Sequence, residues 1–364
     1  MQAPRSAHKM RAFSPRREAP MKRDWIAVAR LSLLSCMGAL LHAASPAQVG
    51  LAPLKVPGGP LEPATTQVAL YYPTAAEAKP VAMGPFTVTG AFQAAPTATV
   101  KGLIVLSHGT GSTERGHTSL AQALAQGGYL VAALRHPGDN WQDTSLRDGP
   151  QAGGYFSQRP RQVSNVIDAV LQDPQWKARI ASDHRGPRVG ALGHSAGGYT
   201  VLALAGGEPD TLRLGQHCAG EGATADPIFC ALAKGLPSTP GAAPASSPPV
   251  ADARVRAVAA LAPLGAVFTA QSLARITVPT LLYEAEGDRF LVPRFHSGWV
   301  AQHVPNIERV VVPKAWHFAF MDTPTMPLPS PDGLIGANPP GFDRAAFLEG
   351  LGAALTTFFD RSLQ

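Results

Sequence analysis

The sequence predicts an α/β fold, a mostly parallel eight-stranded sheet with helices on both faces. Three observations predict it. Apolar, β-branched runs alternate with helical patterns over most of the chain, a glycine-flanked serine stands where one such run gives way to a helix, and an acid and a histidine follow in turn, each just after a further run. With 364 residues, 45% of them hydrophobic and 15% charged, the chain can bury one substantial core, which fits one main domain with additions.

Residues 1–44 read as a leader: a basic stretch, an apolar run from Leu31 to Leu41, then small residues at Ala43, Ala44 and Ala47. A spanning helix needs about 20 apolar residues, and Arg30 stops the run from extending toward Ile26, so the pattern is that of an export signal with no membrane span. Met21 would give the more conventional start, and Leu33-Leu34-Ser35-Cys36 has a faint likeness to a lipoprotein cleavage box. Export places the mature protein in the periplasm or outside the cell. The leader also holds eight Lys or Arg against two acids, which accounts for the whole net charge of +6. The remainder is neutral, so composition supplies no basic patch and no nucleic-acid partner is expected.

Residues 45–66 are rich in Pro and Ala without periodicity and read as a linker. The domain is expected over 67–364. Strand runs fall at Val68–Tyr72, Pro85–Phe92, Leu103–Leu106, Tyr129–Leu134, Val189–Leu192, Val255–Leu261, Pro279–Tyr283 and Glu308–Val312. Helical patterns fall at Ser119–Gln126, Val163–Leu171, after Ser195, and Asp343–Phe359, and such alternation predicts crossover helices on a parallel sheet. Between residues 206 and 251 the alternation breaks into Gly, Pro and Ser. This is an insertion after the serine's helix, expected to form a lid or wall of the substrate site.

Of three cysteines, Cys36 would leave with the leader and Cys218 and Cys230 would remain as a pair. Export makes a disulfide between them sensible, and their spacing fits neither a CxxC redox motif nor a zinc site. No metal site is expected.

The chemistry centres on Gly193-His194-Ser195-Ala196-Gly197-Gly198, which follows the run Arg188–Leu192 and precedes an apolar helix. A sharp strand-to-helix turn needs small residues on both sides so that the hydroxyl can stand clear of the sheet, and this is the nucleophile elbow of the α/β-hydrolase fold. A serine hydroxyl needs a base, and the base needs a partner fixing its tautomer. Chain order selects them. Asp288 follows the strand run Pro279–Tyr283 in a Gly-Asp turn, and His317 follows the last run in the setting Trp316-His317-Phe318. Glu286, two residues before Asp288, is chemically able to serve as the acid. Two backbone amides are expected to face a developing oxyanion: Ala196, directly after the serine, and Thr110 in the loop Ser107-His108-Gly109-Thr110-Gly111-Ser112.

These blocks, with Arg135-His-Pro-Gly-Asp139 and Trp316-His-Phe-Ala-Phe320, make the chain resemble the bacterial hydrolases termed dienelactone-hydrolase-like, themselves similar to platelet-activating-factor acetylhydrolases. The resemblance covers about residues 67–320. It implies esterase-type chemistry on small or lipid-like acyl substrates without a cofactor. Dienelactone hydrolases proper carry a cysteine nucleophile where this chain has Ser195, and the acetylhydrolases place their acid one strand earlier, where Ala257–Phe268 contains no Asp or Glu.

The expected function is therefore hydrolysis of a small-molecule carboxylic ester through Ser195, His317 and Asp288. Two other readings share the fold: a serine peptidase, since oligopeptidases share the G-x-S-x-G-G string although those usually carry a large extra domain, and a binding module that has lost catalysis. Trp141, Tyr155, Phe156, Tyr199, Trp316 and Phe318 lie near the loops and are candidates for an apolar acyl site.

Overall fold

The computed structural model describes residues 48–59, 64–148, 154–234 and 250–364. The leader and the Pro-rich run from Leu236 fall outside the described residues. Ten strands form one sheet: β1 Gln48–Val56, β2 Thr66–Thr74, β3 Lys79–Met83, β4 Phe86–Phe92, β5 Leu103–Ser107, β6 Leu130–Arg135, β7 Val189–His194, β8 Val255–Leu261, β9 Thr280–Ala285 and β10 Glu308–Val312. Their order is β10-β9-β8-β7-β5-β6-β2-β1-β4-β3. From β10 to β6 all neighbours are parallel, while β2 runs antiparallel to both β6 and β1.

All eight strand runs of the sequence are strands, and β1 and β3 are additional. The expected linker at 45–66 is thus corrected: Gln48–Val56 pairs with Thr66–Thr74 along its full length. Pro53 and Gly50 hide its alternation. Strand β4 meets only Gly50 and Leu51 of β1, so that side is open beyond Leu51, and an open edge is where a proline without an N–H is tolerated.

The parallel strands bury both faces, which is why they read as continuous apolar runs rather than as alternation. One face, with Leu103, Val105, Leu130, Val189 and Val258, packs on helices α2 Tyr155–Gln172, α3 Ala196–Leu204 and α6 Ser297–His303. The other, with Ile104, Leu106, Val131, Leu192 and Ala259, packs on α1 Thr118–Gln126 and α7 Arg344–Ser362. Between α3 and β8, α4 Thr211–Ala219 and α5 Pro227–Leu232 lie in the described part of the insertion.

Helix α2 begins two turns before the expected Val163 and carries Pro160 inside it. A proline leaves the carbonyl four residues back without its N–H. That carbonyl, of Phe156, instead accepts the Tyr199 hydroxyl at 2.5 Å, which ties α2 to α3.

The chain passes from β5 to β6 on one side and then returns to place β7 on the other. This reversal opens a crevice at the carboxyl ends of β5 and β7, where ligands bind in open α/β sheets.

Candidate active site

Ser195 stands at that crevice, between β7 and α3, with φ 58° and ψ −118°. A non-glycine residue takes this conformation only under constraint from its surroundings. The constraint is close backbone packing: a Cβ on Gly193 would lie 2.0 Å from the Gly197 carbonyl oxygen, and one on Gly197 would lie 1.9 Å from that of Ser107. The two glycines let the turn close and bring α3 against the end of β5.

Asp288 and His317 follow β9 and β10 and are brought together. The Nδ1–H of His317 donates to Oδ2 of Asp288 at 2.7 Å. The other oxygen, Oδ1, accepts the amides of Phe290 at 2.9 Å and Leu291 at 2.8 Å, so the carboxylate is fixed from both sides. Both side chains are buried. Phe290 stacks on the His317 ring with centroids 4.9 Å apart and planes 13° from parallel. Glu286 is exposed and accepts the Lys314 amide at 2.9 Å.

The residue before the serine also contributes. His194 places Nε2 3.0 Å from the His317 carbonyl, which can only accept, so Nε2 carries the proton. Burial first, then the neighbouring His317 and His117, holds the pKa of His194 well below the ordinary histidine range. A neutral His194 thus anchors the His317 backbone.

On the β5 side, His108 donates Nδ1–H to the Gly109 carbonyl at 2.7 Å and accepts the His136 amide on Nε2 at 3.1 Å, and burial pushes its pKa down to about 4. It is a neutral structural strut. The amides of Thr110 and Ala196 have no acceptor among the described residues.

Ser195 and His317 line one cleft of about 750 Å³, with Thr110, Trp141, Leu232, Phe290 and Phe318 among its walls. Of the six aromatic candidates only Trp141 and Phe318 face it. Tyr199 is buried and stacks on Phe268, and Trp316 lies under Arg289. A second cleft of about 780 Å³, between α1 and α7, contains none of these site residues.

Cys218 and Cys230 are joined by a disulfide, their Cα atoms 5.2 Å apart, and tie α4 to α5. Between them Asp226 is buried and meets two histidines, His217 at 3.0 Å and His296 at 2.8 Å. The three offer metal-type ligand atoms, yet Nδ1 of His296 accepts the Gly265 and Ala266 amides at 3.3 and 3.4 Å, so its proton lies on Nε2 and points at Asp226. The group is a hydrogen-bonded clamp. Burial works to raise the Asp226 pKa, but the two histidines outweigh it and hold it at about 2. Sequence reasoning missed this clamp, since its members come from segments far apart in the chain.

The fold is that of the α/β hydrolases. No protein-family profile matches the chain, and no curated protein matches it. Among solved structures it is similar to a ferulic acid esterase from Streptomyces cinnamoneus, with a TM-score of 0.58 and 20% identity over 88% of this chain and 91% of that one. It also aligns with a dienelactone hydrolase from Anabaena variabilis, with a TM-score of 0.47 and 14% identity over 87% of this chain and 100% of that one.

Proposed function

We propose that the chain is an exported serine hydrolase of carboxylic esters. The observation that carries this reading is the His317–Asp288 hydrogen bond of 2.7 Å in the same cleft as a serine held at φ 58°. With its proton on Nδ1, His317 presents a lone pair on Nε2, the form needed to take the Ser195 proton. Ser195 attacks the ester carbonyl while the Thr110 and Ala196 amides receive the oxyanion, one such donor being worth about 3 kcal/mol. The imidazolium then protonates the leaving alcohol, and water, deprotonated by the same histidine, frees the acyl-enzyme. Export is supported by the leader pattern and by the Cys218–Cys230 disulfide. Small or lipid-like acyl groups are supported by the apolar walls of the cleft, including Leu232, Phe318, Met326 and Ile335.

The test is hydrolysis of p-nitrophenyl esters of increasing chain length against peptide anilides, on purified mature protein. Ester turnover that Ser195→Ala removes is the expected result. Anilide turnover exceeding that of esters would make it a peptidase, and no turnover of either would leave a binding module.

A further inference from the structure

Arg159 and Asp139 form an ion pair with both side chains wholly buried. Such a pair costs desolvation that its mutual attraction only partly repays, so it is weak evidence for added stability and invites the question of what it holds. Among the described residues, its further side-chain hydrogen bonds reach the end of β5 and its loop, helix α3 and Tyr155. Arg159 donates through Nη2 to the His108 carbonyl and to Ser107 Oγ (3.3 Å), and through Nε to Thr200 Oγ1 in α3 (3.1 Å). Thr200 in turn donates to the Ala196 carbonyl at 2.9 Å. Asp139 accepts the Gly111 amide on Oδ1 at 2.9 Å and the Tyr155 hydroxyl on Oδ2 at 2.8 Å. Because its O–H donates to Asp139, the Tyr155 oxygen accepts the Thr110 hydroxyl at 2.9 Å.

Thr110 is therefore bracketed. The carbonyl two residues before it, the amide one residue after it and its own hydroxyl all trace to this pair, while its amide has no acceptor among the described residues. We infer that Asp139 and Arg159, with Tyr155, are positioning residues that aim the Thr110 amide at the oxyanion and lock β5's loop to α3. The inference rests on the ester-hydrolase reading. Arg159 has a second effect. An unneutralised carboxylate bonded to the amide next to the proposed oxyanion donor would oppose the charge that develops there, and the guanidinium counters it.

The test compares the wild type with Asp139→Asn, Arg159→Lys and Tyr155→Phe. Each is titrated with a fluorophosphonate so that rates refer to reactive serines only. Three quantities are read: kcat and KM on p-nitrophenyl butyrate, and Ki for phenylboronic acid, whose tetrahedral serine adduct needs the same donors. Displacing a donor should cost less than deleting one. We expect kcat to fall roughly 10- to 100-fold in Asp139→Asn and Arg159→Lys, with Ki rising by a similar factor and KM within about twofold. Tyr155→Phe keeps the ion pair and the ring, and should show the same split at severalfold. It keeps the test decisive if the charge variants do not fold. Unchanged kcat and Ki per titrated serine, with only a lower Tm, would reduce the pair to a structural role and overturn the inference. A wild type that neither turns over ester nor takes the probe would sink the ester-hydrolase reading and this assignment with it, whereas an active wild type with unaffected variants sinks this assignment alone.

Discussion

His317 donates a hydrogen bond from Nδ1–H to Asp288 at 2.7 Å, and Asp288 is itself held by the amides of Phe290 and Leu291, so the tautomer and tilt of the imidazole are set by one carboxylate. Asp288→Asn keeps the shape but offers an amide that can also donate to Nδ1, which favours the wrong tautomer. We expect kcat to fall roughly 10⁴-fold, as in other triads. Glu286→Gln, at an exposed side chain bonded to the Lys314 amide, should change kcat by less than about twofold, the size of a surface effect. Steady-state rates on a p-nitrophenyl ester decide it, and the opposite ranking would move the acid to Glu286.

Ser195→Ala should abolish ester turnover and fluorophosphonate labelling with little change in Tm, since it removes one oxygen at a turn. Gly197→Ala should do the reverse in stability. Its methyl would sit 1.9 Å from the Ser107 carbonyl oxygen, backbone that cannot rotate away, so the elbow must open. A loss of roughly 2 kcal/mol or more is expected, in the range for overpacked sites. A Gly197→Ala protein that melts and labels like the wild type would contradict the packing described for this turn.

How much of this was legible follows from how local each signal is. The strand-end positions of Ser195, Asp288 and His317 are readable because each needs a strand run followed by a loop, and the serine also needs small neighbours. Arg159 left a fainter trace: it falls on the same helical stripe as Val163, Val166 and Val170, a charge at a core position that only a buried partner explains. The partner itself, Asp139, lies in a loop with no periodicity. Strand β1 was hidden by Pro53, whose tolerance depends on β4 ending beside Leu51, a fact of sheet order and not of local sequence. The aromatic residues near the loops illustrate the converse, since Tyr199 and Trp316 are close to the site in sequence while their rings serve packing.

Acid should destabilise the fold earlier than ordinary carboxylate titration would. Burial is the leading cause that pushes His108 down to about 4 and His117 to about 3, and holds His136 and His194 well below their usual range. In the unfolded chain these groups titrate near 6.5. Below that pH the unfolded state binds protons the folded state refuses, so stability falls as pH falls, by up to about 1.4 kcal/mol per pH unit for each such histidine. Asp226 and Glu114, both held at about 2, add their own loss only at lower pH, as it falls from the unfolded carboxylate range near 4 toward 2. Tm measured at constant ionic strength should therefore drop between pH 6.5 and 4.5. A Tm that is flat or rising on acidification across that window would show that the buried histidines are charged in the folded protein.

The last prediction joins the insertion to the site. The disulfide closes a loop with a sequence separation of 12 and ties α4 to α5. Restricting the unfolded chain over a loop of this size contributes about 3 kcal/mol. Inside the loop Asp226 holds His217, His296 and the Val292 amide, the last at 3.3 Å, one residue past the Leu291 amide bound by Asp288. Just beyond Cys230, Leu232 forms part of the cleft wall. Reduction should therefore lower Tm by roughly 5 °C or more and loosen that wall while leaving Ser195, His317 and Asp288 chemically intact. Turnover of long-chain esters should fall more than that of acetate. A Cys218→Ser/Cys230→Ser variant should match the reduced protein and ignore reductant, which separates the bond from side effects of the reagent. Peptide mapping without reduction checks the premise: if both thiols alkylate freely in protein taken from the periplasm or medium, the crosslink is absent there and the proposal of export loses one of its two supports.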